Sequence, residues 1–170
     1  MMRLLLLRHA KSSWDDPDLS DEDRPLAPRG ERAAEKMRRY LASEDLDLDV
    51  VLCSAALRAR QTFARVLPSL GTELEIKIEP ILYTFDAQVL LDRLRQIPGA
   101  GSVLLVGHNP ALQDLALRLA DRGGRLEELA QKFPTGAFAE IGFGSGSWST
   151  LPDPLGELTR FVVPGELDVS

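Results

Sequence analysis

The fold is decided by two short stretches, Leu4-Leu5-Leu6-Leu7-Arg8-His9 and Val103-Leu104-Leu105-Val106-Gly107-His108. Each begins with four aliphatic residues and ends on a histidine, and the chain has only these two histidines. Such a run predicts a strand that is buried on both faces of a parallel sheet. Because ligands of parallel sheets gather at the carboxyl ends of the strands, we expect both imidazoles at the ligand-binding edge.

Apolar runs alternate with helical patterns along the rest of the chain, as in a parallel sheet with crossover helices. The second strand is predicted near residues 50–53, and a third near 74–78 is predicted to be half exposed or at an edge. Helices are expected around residues 33–41, 55–66, 87–97, 110–120 and 126–131, and later strands around 137–143, 148–151 and 158–163. The prediction is one α/β domain over residues 1–170, with three layers (α/β/α) and a mixed, mainly parallel sheet.

Composition limits the classes of function. The chain has 170 residues, of which 44% are hydrophobic, and this length suits one domain with a substantial core. A net charge of -6 argues against nucleic-acid and anionic-membrane partners, which usually bind basic surfaces. A phosphate site must therefore be a local basic pocket.

Arg8 interrupts the N-terminal apolar run well before it reaches the length of the hydrophobic region of a signal peptide. No stretch is long and apolar enough to span a membrane. We therefore expect a cytoplasmic protein. The single cysteine, Cys53, cannot form an internal disulfide, and its apolar surroundings in sequence predict a buried, inert thiol.

Arginines accompany the two histidines. Arg8 precedes His9, and Arg58 follows the second strand on the edge where both histidines are expected. Guanidinium groups match phosphate oxygens in geometry and charge, and histidine can supply a nucleophile and handle protons. Arg60 and Arg65 belong to the same helical segment, and we expect them to be ordinary solvated charges.

Other chemistries have weaker support. Neither histidine has the neighbouring ligands of a usual zinc motif, so we predict no metal site. The acidic segment over residues 15–23 lacks the glycine and the glutamate of a calcium loop, so we expect a solvated loop. No glycine-rich phosphate loop follows a strand, and no histidine lies near Cys53 in sequence, so nucleotide hydrolysis and thiol catalysis also lack support.

Several segments in order along the chain resemble the histidine phosphatase superfamily, and within it the short SixA-like phosphohistidine phosphatases, whose fold is phosphoglycerate mutase-like. The segments that carry this resemblance are Arg8-His9-Ala10-Lys11-Ser12-Ser13-Trp14, Asp23-Arg24-Pro25-Leu26-Ala27-Pro28-Arg29-Gly30, Cys53-Ser54-Ala55-Ala56-Leu57-Arg58-Ala59-Arg60-Gln61-Thr62, Gly107-His108-Asn109-Pro110 and Phe133-Pro134-Thr135-Gly136-Ala137.

The resemblance implies that His9 accepts the phosphoryl group, that Arg8, Arg58 and His108 surround it, and that no metal or cofactor is needed. Positioned cations stabilise the charge that phosphoryl transfer spreads over the equatorial oxygens. Three neighbouring residues are further candidates for substrate binding: Ser12, whose hydroxyl often touches phosphate in relatives, Lys11 and Asn109.

One expected residue is missing. The resemblance implies a glutamate acting as general acid after the third strand, where this chain has Leu82-Tyr83-Thr84. Alkoxide leaving groups need a proton donor, whereas an imidazole can leave from an already protonated phosphoramidate, so the substrate is expected to be phosphohistidine. Asp86 and Glu79 could substitute for the acid, although a helix cap and an exposed strand-end charge are the more ordinary roles for them.

The expected function is a metal-independent phosphatase that works through a covalent phosphohistidine intermediate. Its partner would be a phosphohistidine protein or a small phosphoester. Two alternatives stay open: a general phosphomonoesterase, and a phosphoprotein-binding module without turnover. Four residues expected around the phosphoryl group are all present, which argues against the second alternative: Arg8, His9, Arg58 and His108.

Overall fold

The structure is a computed structural model that describes residues 2–167. Its strands are β1 (Met2–Arg8), β2 (Val50–Ser54), β3 (Glu75–Glu79), β4 (Ser102–Gly107), β5 (Ala120–Arg122), β6 (Phe138–Gly144) and β7 (Gly156–Val162). Its helices are α1 (Pro28–Ser43), α2 (Leu57–Val66), α3 (Ala87–Leu94), α4 (Ala111–Leu119) and α5 (Leu126–Gln131).

The strands form one seven-stranded sheet in the order β3-β2-β4-β1-β6-β7-β5. Only β6 pairs antiparallel to its neighbours among the described strands, so the sheet is mixed and mainly parallel. Helices α1 and α2 pack together over one face, and α3 and α4 over the other. The predicted three-layer α/β/α fold is confirmed.

The central strand β1 is buried on both faces, as its four leucines predict. Leu4 and Leu6 belong to the core beneath α3 and α4, while Leu5 and Leu7 belong to the core beneath α1 and α2. This division follows from the alternation of side chains along a strand. All six residues of the neighbouring β4 are buried as well. The strand β3 lies at the sheet edge, and its Ile78 is 48% exposed, as predicted.

Two short segments adopt a type of secondary structure that differs from the predicted one. Residues 148–151 were expected to form a strand, but Trp148–Thr150 is a 3-10 turn whose tryptophan packs edge-on against Phe143 in the core. The predicted fourth helix ends earlier than expected, and Ala120 begins the short strand β5, which pairs with β7. Both segments owe their conformation to tertiary contacts, which hydrophobic periodicity does not report.

The Cys53 thiol is buried, and this burial raises its pKa to about 12, which agrees with an inert thiol. Within residues 2–167, no helix has the length and apolar character that crossing a membrane requires.

Candidate active site

The two histidines meet because β1 and β4 are adjacent and end at the same level. Arg8 pairs with Gly107 in the parallel register, and the His9 amide donates to the Gly107 carbonyl at 3.0 Å. The imidazole centroids of His9 and His108 are therefore 5.2 Å apart. The sheet edge thus brings together residues that are 99 positions apart in the sequence.

A late turn supports the backbone that carries His9. The Gly136 amide donates to the carbonyls of Arg8 and His9, at 3.1 and 3.0 Å. Gly136 has a φ of +77°, a left-handed conformation that favours glycine over residues with a side chain. This turn, which precedes β6, therefore holds the backbone at the carboxyl end of β1 in place.

A buried threonine links β1 to α2. Thr62 Oγ1 accepts a hydrogen bond from the Ala10 amide at 3.0 Å and donates to the Arg58 carbonyl at 2.8 Å. Thr62 is 1% exposed, so both bonds are shielded from water. Its side chain therefore holds the first turn of α2, which carries Arg58, against the segment that follows His9.

The His9 ring has a defined tautomer. Its Nδ1 lies 2.7 Å from the Ala10 carbonyl oxygen, which can only accept, so Nδ1 carries the proton. Burial is the main cause that lowers the pKa of His9 to about 3, with further lowering from His108 and Arg58. The ring is therefore neutral at neutral pH, and Nε2 presents a lone pair suited to nucleophilic attack.

His108 is also buried and neutral. Burial, followed by the charge of Arg58, lowers its pKa to about 4. Its Nε2 lies 2.7 Å from Ser54 Oγ, and the Tyr83 ring packs edge-on against it with centroids 5.2 Å apart.

A cleft of about 300 Å³ opens over these rings. It is lined by Arg8, His9, Lys11, Ser12, Trp14, Asp21, Arg24, Arg58, Phe85, His108, Asn109 and Thr135. All seven predicted site residues are among these twelve, so the structure brings them to one place. We call Arg8, His9, Arg58 and His108 the floor of the cleft, and the more exposed Trp14, Asp21 and Phe85 its rim.

Unpaired nitrogens in the floor fit an anion. Within residues 2–167, three buried side-chain nitrogens have no hydrogen-bond partner, and two of them, Arg8 Nε and His108 Nδ1, belong to the floor. The Arg8 side chain is held in place by the Phe133 carbonyl, which accepts a hydrogen bond from its Nη1 at 2.8 Å. Buried polar groups are normally paired, so these two atoms mark a place where a ligand can supply hydrogen-bond partners, including an acceptor oxygen for Arg8 Nε.

Asp21 was not predicted to be a site residue, and it is exposed, as expected for residues 15–23. Its carboxylate also accepts hydrogen bonds from Arg58 Nη2 at 2.8 Å, Arg24 Nη1 at 2.9 Å and the Tyr83 hydroxyl at 2.6 Å. These donors, Tyr83 first, hold the pKa of Asp21 well below its usual range. Asp21 is therefore an ionised carboxylate that anchors Arg58.

The three predicted binding residues around the floor differ in their surroundings. Ser12 is buried and accepts a hydrogen bond from Arg24 Nη2, while Lys11 is exposed at the mouth of the cleft. The Asn109 side chain donates to the Phe133 carbonyl at 3.3 Å and accepts from the Gln113 amide at 3.2 Å, so it binds the first turn of α4. The N-cap residue of that helix is Pro110.

Residues expected to lie outside the site are indeed outside it. Arg60 and Arg65 are exposed and do not line the cleft. Asp86 caps α3 by accepting from the Gln88 amide at 2.8 Å, as predicted. Glu79 is more constrained than an exposed charge, because it pairs with Arg93 at 2.6 Å.

Known proteins are similar to this chain in sequence and in fold. The model of the histidine phosphatase superfamily (branch 1) matches residues 4–87. An uncharacterized protein of Mycobacterium tuberculosis is 34% identical over 163 residues, covering 93% of this chain and 99% of the relative. The chain belongs to the histidine phosphatase superfamily. Two SixA proteins are also similar to it.

The first is phosphohistidine phosphatase SixA of Escherichia coli, which is 27% identical over 159 residues, covering 89% of this chain and 94% of the relative. The second is a candidate phosphohistidine phosphatase SixA from Nakamurella multipartitia, whose structure superposes with a TM-score of 0.82 at 30% identity and covers 96% of each chain. The similarity to SixA-like members of the superfamily, expected from the sequence motifs, is confirmed.

Within this histidine phosphatase, the residues that sequence reasoning missed have one property in common. Asp21, Ser54, Tyr83 and Thr62 act through side-chain hydrogen bonds to elements far away in the sequence. Ser54 and Thr62 stand inside a motif segment, and this was the only available signal for them. Nothing in the sequence distinguishes Asp21 from the other acidic residues of its segment.

Proposed function

We propose that the chain is a phosphatase whose natural substrate is a protein-borne phosphohistidine and whose reaction passes through a phosphoryl group on His9. The observation that carries this proposal is the chemistry of the cleft. A neutral imidazole with a free Nε2 lies among cationic and unpaired donors, while the carboxyl group among the residues lining the cleft is held ionised.

The first step transfers the phosphoryl group to His9. Nε2 attacks phosphorus with its lone pair, the bond from phosphorus to the substrate nitrogen breaks, and that nitrogen keeps the electron pair. If the other nitrogen of the substrate ring already carries a proton, the leaving group is neutral imidazole and no acid is required. Arg8 and Arg58 stabilise the charge on the equatorial oxygens.

The second step releases phosphate. Water attacks phosphorus, the bond from phosphorus to Nε2 breaks, and the electron pair returns to the His9 ring. Both protons of the water leave on the product as dihydrogen phosphate. The Ala10 carbonyl holds the Nδ1 proton throughout, so the ring returns to its starting tautomer.

The ionisation of Asp21 favours a phosphoramidate over an ester. An alkyl phosphate needs a proton on its leaving oxygen, and the carboxyl group of the cleft is deprotonated at neutral pH because Tyr83, Arg58 and Arg24 donate to it. Asp86 and Glu79 are occupied by the α3 cap and by Arg93 and do not line the cleft. These observations support phosphohistidine over the general phosphomonoesterase alternative.

The rim supports a protein as the carrier. Trp14 and Phe85 are 71% and 59% exposed, and both line the cleft. A phosphoryl group alone makes no use of exposed aromatic side chains, whereas exposed apolar groups beside a polar site are typical of protein contact surfaces. The acidic segment 15–23, of which Asp21 lines the cleft, favours a basic surface around the phosphorylated histidine.

Steady-state turnover of the purified protein on three substrates tests the proposal. Phosphohistidine in a protein should be hydrolysed faster than an unactivated alkyl phosphate by orders of magnitude, and an activated aryl phosphate should fall between them. Activity should persist in a strong chelator, because the proposed steps use no metal. Equal turnover of alkyl phosphate and phosphohistidine would overturn the proposed specificity.

Variants of the acidic residues locate any hidden acid. Asp86→Asn and Glu79→Gln should leave phosphohistidine turnover unchanged within about twofold, since neither residue lines the cleft. A loss in either variant that is confined to alkyl phosphates would identify a general acid and favour the phosphomonoesterase alternative.

A further inference from the structure

Ser54 and His108 form a buried pair at the back of the floor. Ser54 is the last residue of β2, has no exposed surface, and is absent from the lining of the cleft. Its Oγ lies 2.7 Å from His108 Nε2. Either group could donate in this hydrogen bond, and the direction decides which nitrogen of His108 carries the proton.

The remaining bonds of Ser54 settle the direction. Its Oγ already accepts a hydrogen bond from the Ala56 amide at 3.2 Å, and an amide can only donate. Within residues 2–167, His108 Nε2 is the one acceptor that its hydroxyl proton reaches. If His108 donated instead, a hydroxyl proton without access to solvent would lack an acceptor, which costs free energy. Ser54 is therefore the donor.

The direction of this bond fixes the tautomer of His108. Because Nε2 accepts, the single proton of the neutral ring lies on Nδ1. That nitrogen is buried and has no partner among the described residues. We propose that Ser54 is a positioning residue that holds His108 in the Nδ1-protonated form, so that Nδ1 donates a hydrogen bond to an oxygen of the transferring phosphoryl group.

The opposite tautomer would oppose the reaction. It would present the Nδ1 lone pair to phosphoryl oxygens, and two acceptors in contact repel each other. His108 stays neutral among Arg8, Arg58 and Asp21, so the tautomer decides whether it assists transfer. The inference rests on the proposed function only in taking the ligand to be a phosphoryl group, and it does not depend on which molecule carries that group.

The tautomer can be measured without substrate. The chain has only two histidines, so the ring nitrogens in a ¹⁵N NMR spectrum belong to His9 or His108 and can be assigned with His9→Ala. At neutral pH, the wild-type protein should show protonated Nδ1 and unprotonated Nε2 in His108. A protonated Nε2 there would overturn the proposal, whatever the substrate proves to be.

A matched pair of serine variants tests the consequence for turnover. Ser54→Ala removes the donor, so His108 should shift toward the Nε2-protonated form and kcat should fall at least tenfold, with a smaller change in KM. Ser102→Ala is the control, because Ser102 is also buried but lies at the opposite end of β4. A wild-type tautomer or wild-type kcat in folded Ser54→Ala would overturn the proposal, and so would an equal loss in Ser102→Ala.

Discussion

The floor and the rim of the cleft are held in different ways. The backbone places the floor. The strands β1 and β4 end together, and α2 begins directly after β2, so the course of the backbone brings His9, His108 and Arg58 close to one another. The rim depends on side-chain contacts between exposed segments, such as Asp21 with Tyr83 and Trp14 stacked on Arg24 at 3.2 Å. Under the proposed function, we expect the floor to carry the chemistry and the rim to adjust it.

The most severe test of the floor removes the proposed nucleophile. His9→Ala should abolish turnover, because no other side chain among the described residues that line the cleft presents a neutral imidazole nitrogen with a free lone pair at the end of β1. Rapid acid quench of the wild-type protein with labelled substrate should trap a phosphoryl adduct that is labile in acid and stable in base, and His9→Ala should trap none. Turnover surviving in folded His9→Ala would show that the floor has been assigned the wrong nucleophile.

The next largest effect is expected from the arginines of the floor. Arg58→Ala should lower kcat/KM by about a hundredfold or more, because it removes a positioned donor from the transferring phosphoryl group. Arg8→Ala should have an effect of the same order. Arg58→Lys should restore little, since an ammonium lacks the planar fork that Arg58 offers to Asp21 and phosphate together.

Arg60→Ala is the matched control in the same helix. Arg60 is exposed and its Nε donates to the Ala55 carbonyl at 2.9 Å, so its loss should change kcat/KM by less than about twofold. If Arg60→Ala were as damaging as Arg58→Ala, the assignment of the first turn of α2 to the floor would be wrong.

The contrast between floor and rim also explains what could be predicted from the sequence. Strand ends follow from hydrophobic periodicity, so Arg8, His9, Arg58 and His108 could be placed at one edge from the pattern of the chain. The anchoring of Arg58 by Asp21 joins residues 37 positions apart through an exposed segment without a periodic hydrophobic pattern. Propensity and charge patterning predict an exposed segment, which holds for Asp15 and for Asp21, but they do not predict the hydrogen bonds that Asp21 makes.

An intermediate effect is expected where the rim touches the floor. Asp21→Asn replaces one carboxylate oxygen by an amide group that cannot accept, so either Arg58 or Arg24 loses its charge-assisted bond. We expect kcat/KM to fall roughly tenfold, in line with the usual worth of a hydrogen bond to a charged group. Asp15→Asn, in the same acidic segment and exposed, should have little effect.

Tyrosine absorbance gives an independent measure of the Asp21 variant. Asp21 is the main cause that raises the pKa of Tyr83, because it accepts from the hydroxyl and its negative charge disfavours the phenolate. In Asp21→Asn the pKa of Tyr83 should therefore fall, while that of the other tyrosine, Tyr40, should stay where it is. An unchanged Tyr83 titration together with wild-type turnover would show that Asp21 does not anchor the floor.

The smallest effect is expected at the aromatic part of the rim, and it should depend on the substrate. Phe85→Ala and Trp14→Ala should lower the ratio of kcat/KM for a phosphohistidine protein to that for a small phosphoramidate by about fivefold, as expected when an interface residue of moderate importance is truncated. The ratio is the decisive quantity, because Trp14 stacks on Arg24 and its removal can also disturb the floor. A disturbed floor slows the turnover of both substrates, so its effect cancels in the ratio, whereas the effect of a lost protein contact does not.

Leu117→Ala is the control, since Leu117 is 40% exposed on α4 but does not line the cleft. An unchanged ratio, or an equal fall in Leu117→Ala, would remove the rim from substrate recognition while leaving the proposed chemistry of the floor intact.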